Sequence, residues 1–326
     1  MDKKRIPYLD VAKGIGILLV VAGHIYGGEN FGTILYAFHV PLFIVISGML
    51  IQYTKAQEQT IWNVAKKKCK SLIVPYILTE IIVLPLYMIK YGHGLSDLHW
   101  NIIDSLILYN TKGIATWFLL HLFFAELIYL CIIKGVKKGW IIQIISIILF
   151  ILSFVKIEGH YAIVLMQKNF NFVFFLMVGH QYFSKVKKWK SWTLLLIFPF
   201  VLSALQNECV VMAEAVYHKP ILYVLSAILG IAVTFCVSHI IALRFKVIEK
   251  FFVFWGRNSL FILCTHLLIT RYGIDLIWVD GPHYESIVKS VCVFLLVLGL
   301  EWILIKLKER FKKREVKNEN SCICSN

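Results

Sequence analysis

Apolar residues gather along the chain into ten runs, near 8–27, 31–53, 71–89, 115–133, 139–155, 169–184, 191–206, 220–243, 258–277 and 286–305. A helix needs about 20 predominantly apolar residues to cross a bilayer, and most of these runs reach that length, the sixth and seventh being short. The polar segments between them are brief. The pattern predicts an all-α, polytopic membrane protein of about ten transmembrane helices, with a membrane domain over 1–307 and a basic tail over 308–326. A hydrophobic fraction of 59% and a mean hydropathy of +0.74 agree, since soluble chains hold about 45–50% apolar residues.

The net charge of +15 would fit a nucleic-acid ligand, but its placement argues for topology. With the N-terminus inside, 26 of the 34 Lys and Arg fall in segments on the cytosolic side and six on the outer side, while Lys13 and Lys289 lie within spans. That split follows the positive-inside rule loop by loop and places both termini in the cytosol. The positive charge therefore orients the chain and meets lipid headgroups, and no nucleic-acid partner is expected. The eight cysteines form no CxxC pair with matching histidines, so neither a zinc site nor any other metal centre is expected.

The first span holds the most informative polar pattern, Asp10-x-x-Lys13 followed by His24. Ionisable groups inside a span cost about 2.5–3.5 kcal/mol each on insertion scales, so they are functional candidates. Eleven residues at about 100° each complete three turns. Lys13 and His24 therefore share a helix face, about 16 Å apart. His39 in the second span and His266 in the ninth lie at comparable depth, and Glu80 and Glu126 add carboxylates in the third and fourth. Any one of these histidines is as readily a satisfied polar contact between helices. Asp10 and Lys13 can be an interfacial ion pair at i,i+3. Pro41 near the middle of the second span predicts a kink, and Ser47-Gly48 allows close approach of a neighbouring helix. The run Lys66-Lys67-Lys68-Cys69-Lys70 before Pro75 is a basic patch that reads either as topogenic, the usual case, or as a site for the phosphates of a nucleotide carrier. The outer segment over 90–114 carries His93, Asp97, His99, Trp100 and Asp104, and Trp100 and Tyr284 are candidates for stacking on sugar rings.

These residues resemble a known family. Lys13-x10-His24, then Phe38-His39-x-Pro41-x-Phe43-x-x-x-Ser47-Gly48, is similar to the opening of the acyltransferase 3 family of integral membrane acyltransferases. Lys67-x-x-Lys70 before Pro75-Tyr76, Trp117-Phe118-Leu119, Phe175-x-x-x-Gly179 and Gly256-Arg257-Asn258-Ser259-Leu260 leading to His266 follow in the same order. The last resembles the fucose 4-O-acetylase-like branch, and the likeness runs from Ile6 to Leu307. The resemblance implies acyl-CoA, usually acetyl-CoA, as cytosolic donor substrate, and a glycan or lipid-linked sugar hydroxyl as acceptor. It implies O-acylation at a plasma or inner membrane. Many members have arginine where this chain has Lys13, Lys67 and Lys70; lysine keeps the charge but not the bidentate fork for phosphate.

The expected sites follow. Lys13, Lys67, Lys70 and Arg257 hold the donor; His24 acts as general base, with His39, His266 or Glu126 to orient or recharge it. The rival reading is a transporter or flippase whose buried His and Glu relay protons, which predicts flux without acyl-CoA consumption.

Overall fold

The computed structural model describes residues 6–26, 29–94, 115–155, 161–186, 188–274 and 287–323. Helices dominate these residues, and no strand of a sheet forms among them. The chain enters through α1 (Pro7–Tyr26), then α2 (Glu29–Tyr36) and α3 (His39–Tyr53). α4 (Ile61–Lys68) continues through a π turn, Cys69–Ile73, into α5 (Val74–Tyr91). α6 (Trp117–Gly135), α7 (Gly139–Leu152) and α8 (Tyr161–Gln181) follow, and a 3-10 turn at Ser191–Leu196 leads into α9 (Ile197–Asn207). The last elements are α10 (Pro220–Arg244), α11 (Lys246–Arg257), α12 (Ser259–Ile269) with a π turn at Thr270–Ile274, and α13 (Ile287–Ile323).

Within the described residues, each of the ten expected runs falls mainly on helix, the second divided between α2 and α3. Among the described residues, six stretches are long and apolar enough to cross a membrane: Pro7–Tyr26, Asn30–Tyr53, Ile61–Tyr91, Trp117–Gly135, Pro220–Arg244 and Lys289–Phe311. A seventh is reached if Lys246–Arg257 and Ser259–Ile274, bent by 72° at their junction, count as one broken span. α7 and the Ser191–Asn207 helix are apolar but shorter. Large apolar side chains such as Ile81 and Ile82 on α5, Ile148 and Ile151 on α7, and Leu295 on α13 are exposed on the outside of the bundle. That is the inverse of a soluble surface and suits contact with lipid.

The second span is broken, and Pro41 explains the place. A proline in a helix loses its own hydrogen bond and its ring clashes with the carbonyl four residues back, here that of Ala37. The helix stops at Tyr36 and restarts at His39, so Pro41 sits in the first turn of α3, where it is tolerated. The Leu35 carbonyl accepts from Phe38 N and also from His39 Nδ1 at 2.6 Å. The break thereby turns His39 into the first residue of a helix.

Two helix pairs pack backbone to backbone. A Cβ built on Gly48 would lie 2.2 Å from the Leu176 carbonyl oxygen, and one on Gly179 would lie 2.1 Å from that of Val45, so α3 and α8 touch through reciprocal glycines. α1 and α11 repeat the device: Gly14 meets the Phe252 carbonyl and Gly256 that of Asp10. The second contact brings Arg257, next to Gly256, against the Asp10–Lys13 end of α1. Small residues at such crossings are how membrane helices gain close packing without a hydrophobic drive.

Candidate active site

The face of α1 that periodicity singled out lines a cavity of about 980 Å³. Asp10, Lys13, Ile17, Val20 and His24 all reach it, at successive turns of one helix. Its walls between the two polar ends are apolar, with Phe43, Ile46, Phe118 and Leu263 among them. The space therefore joins a charged end to an imidazole end through a stretch that offers water few partners.

At the charged end Lys13 Nζ donates to Asp10 Oδ1 at 3.3 Å, and Arg257 Nε lies 3.8 Å from Asp10 Oδ2. One carboxylate thus steadies two cations at the cavity wall, and Arg257 remains about half exposed. Lys67 and Lys70 do not line the cavity. Both are exposed, and Lys67 Nζ is bonded to Gln59 Oε1 at 2.7 Å. Their helical setting explains this: the basic run lies on α4 and the π turn, and the cavity side of that element is presented by Ser71 and Leu72 instead.

At the other end three histidines and a tyrosine meet. The rings of His24 and His266 are 5.3 Å apart, those of Tyr36 and His39 5.1 Å, and the Tyr36 hydroxyl lies 3.3 Å from His24 Nδ1. The Tyr36 hydroxyl also donates to the Gly23 carbonyl at 3.4 Å. His39 Nδ1 and His266 Nδ1 each face a carbonyl four residues back, Leu35 and Ile262, the latter at 2.7 Å. A carbonyl only accepts, so both rings carry a proton on Nδ1, and in the neutral form they present a bare Nε2. Among the described residues, the buried His266 Nε2 has no hydrogen-bond partner. His24 and His39 line the cavity itself, while His266 stands behind His24.

Glu126, expected to orient or recharge His24, makes its contacts elsewhere. Its Oε1 accepts from Lys68 Nζ at 2.7 Å and from the Ser47 hydroxyl. Ser47 lies eight residues beyond His39 along α3, about 12 Å away. Glu80, buried on α5, accepts from the Thr116 hydroxyl at 2.7 Å.

Several functional candidates escaped the sequence. Tyr36 was hidden because tyrosine in an apolar run carries no charge signal. Arg271 and Cys209 reach the cavity from segments between the apolar runs or at their ends, where no periodicity marks them. Lys68, rather than its neighbours, makes the buried ion pair. His121, also within a span, is buried against Asn169 Oδ1 at 2.6 Å. Trp117 does line the cavity. Asp97, His99, Trp100, Asp104 and Tyr284 lie outside the described residues; His93 stacks on Tyr87 with ring centroids 5.3 Å apart.

Comparison with protein families matches residues 6–306 to the acyltransferase 3 model, described as an acyltransferase domain. No curated protein and no solved structure matches the chain. The match spans both ends of the cavity, from Asp10 and Lys13 to His266 and Arg271. The chain belongs to the acyltransferase 3 family and is a membrane acyltransferase.

Proposed function

We propose that the protein moves an acetyl group from cytosolic acetyl-CoA to a hydroxyl of a glycan or lipid-linked sugar on the far side of the membrane. The observation that carries the reading is the cavity, with Lys13 and Arg257 at one end and His24 at the other. The basic N-terminal residues Lys3, Lys4 and Arg5 support a cytosolic position for the Lys13 end, where the donor is found. Lys13 and Arg257 hold the phosphates of the donor's nucleotide, while Lys67 and Lys70 add only to the field around the entrance. The pantetheine arm follows the apolar wall past Ile17 and Val20, a distance of about 16 Å along α1.

His24 then acts as general base. A hydroxyl has one proton; with that of Tyr36 given to the Gly23 carbonyl, its oxygen accepts from His24 Nδ1–H. This tautomer leaves the Nε2 lone pair for the acceptor hydroxyl. His24 Nε2 takes the hydroxyl proton as the sugar oxygen bonds to the thioester carbonyl carbon. Collapse of the tetrahedral intermediate breaks the C–S bond, and the imidazolium returns its proton to the departing thiolate of CoA. His39, which lines the cavity with a bare Nε2, accepts a hydrogen bond from the acceptor, and His266, behind His24, holds the His24 ring in place. The proton balance closes, and no acyl-enzyme is needed.

The test uses purified full-length protein, labelled acetyl-CoA and candidate glycans. Label is expected in glycan, and His24→Ala is expected to lower incorporation by about 10²–10⁴-fold while the protein still folds. Full activity in that variant would refute the assignment of His24. Glycan movement across vesicles without acetyl-CoA consumption would favour a transporter.

A further inference from the structure

Arg271 has no task in the mechanism above, yet it lines the same cavity as His24. It sits on the π turn Thr270–Ile274, five residues past His266, and such turns re-aim a side chain out of the regular helical pattern. Its backbone is clamped: the Arg271 carbonyl accepts from Lys90 Nζ at 2.6 Å, and that ammonium lies 5.5 Å from the ring centre of buried Tyr272. Its side chain is exposed and forms no ion pair or hydrogen bond with the described residues. Asp10 is the sole carboxylate among the described cavity-lining residues, and it is engaged by Lys13 and Arg257 at the opposite end. The imidazole end therefore holds a guanidinium, within electrostatic range of His24 and His266, and none of the described cavity-lining residues at that end is an anion.

That imbalance has a physical meaning. Basic residues on the outer side run against the charge rule that orients this chain, so an outward arginine needs its own reason. A guanidinium beside apolar walls finds its strongest partner in a carboxylate or phosphate, which it grips with two parallel N–H donors. We propose that Arg271 is a specificity-determining residue that binds an anionic group on the acceptor, a carboxylate or a phosphate near the hydroxyl that is acylated. The proposal rests on the acyltransferase reading above and narrows its substrate class. Lys90 is a positioning residue, acting through the Arg271 carbonyl.

The test titrates full-length protein in detergent micelles, by calorimetry, with methyl glucuronoside, glucose 1-phosphate and methyl glucoside. The first two probes separate carboxylate from phosphate. At least one anionic sugar is expected to bind ten-fold or more tightly than the neutral one. Arg271→Gln is expected to abolish that preference, Arg271→Lys to keep part of it, and Arg257→Gln, at the donor end, to leave it intact. Equal binding of all three sugars, or a preference that survives Arg271→Gln, overturns the proposal. If Arg271→Gln fails to fold, Arg271→Lys alone decides, since loss of the bidentate fork is then expected to weaken the preference several-fold and an unchanged preference overturns it. Transfer of label from acetyl-CoA is measured in the same preparation. Selective binding without transfer refutes the acyltransferase mechanism and leaves the anion site standing. Transfer to methyl glucoside as fast as to the charged sugars does the reverse.

Discussion

Tyr36 carries a role that a phenylalanine of the same shape would not. In the mechanism proposed, its oxygen fixes the His24 tautomer, so Tyr36→Phe leaves the ring packing and removes the acceptor for Nδ1–H. Turnover is expected to fall about ten-fold, roughly 1.4 kcal/mol in the barrier, with the KM for acetyl-CoA unchanged. A variant that loses affinity for the donor at full turnover would contradict the role. Lys68 poses a different question, of stability. Its partner Glu126 is almost fully buried, and removing the cation strands a carboxylate in the bundle. Lys68→Ala is expected to cost about 3–5 kcal/mol, read as a lower unfolding temperature in detergent, and Lys68→Met with Glu126→Leu is expected to recover most of it. The two cases show why the shared cavity face of Lys13 and His24 was legible in the sequence and the other partners were not. Lys13 and His24 lie on a single helix, where the 3.6-residue repeat alone assigns a common face. Tyr36 meets His24, and Lys68 meets Glu126, across different helices, and no spacing within one helix encodes that encounter.

At the scale of elements, glycine marks the places where helices touch. The motif pieces Ser47-Gly48 and Phe175-x-x-x-Gly179 become one feature in three dimensions, the reciprocal contact of α3 with α8. Gly179→Ala would set a methyl group against the Val45 backbone oxygen, which cannot swing aside as a side chain can. The helices must separate, at a cost of about 1–3 kcal/mol and with a shift of the α3 wall that carries His39 and Ser47. Gly135→Ala is the control, because nothing lies within 4 Å of a Cβ there. It is expected to leave stability unchanged or raise it by up to about 1 kcal/mol. Equal thermal shifts for the two variants would refute the packing account. The sequence placed all ten apolar runs on helices but not the joints within them. Pro41 announced a kink, and its consequence for His39 followed from the carbonyl four residues back. The π turns at Cys69–Ile73 and Thr270–Ile274 and the 72° bend after Arg257 are joints that hydropathy does not report.

For the whole molecule, the cavity has two unlike ends: Asp10 with Lys13 and Arg257 at one, the imidazoles and Arg271 at the other, with apolar walls between. If acyl transfer requires the donor's arm to run the length of that space, blocking its middle should separate binding from chemistry. Val20 is the position to use. It lines the cavity between Ile17 and His24 and belongs to neither polar end. Val20→Trp places an indole in the path, while Asp10, Lys13 and Arg257 keep their mutual contacts two turns away. Binding of CoA itself, which the charged end governs, is expected to stay within about three-fold of the unsubstituted protein, and acetyl transfer to fall by more than about 100-fold, or some 2.7 kcal/mol in the barrier. Val20→Ala, which widens the same point, is expected to retain transfer, so the pair distinguishes obstruction from general damage to α1. Undiminished transfer in Val20→Trp would mean that donor and acceptor meet without traversing the cavity, and the division of labour between its two ends would fall with it.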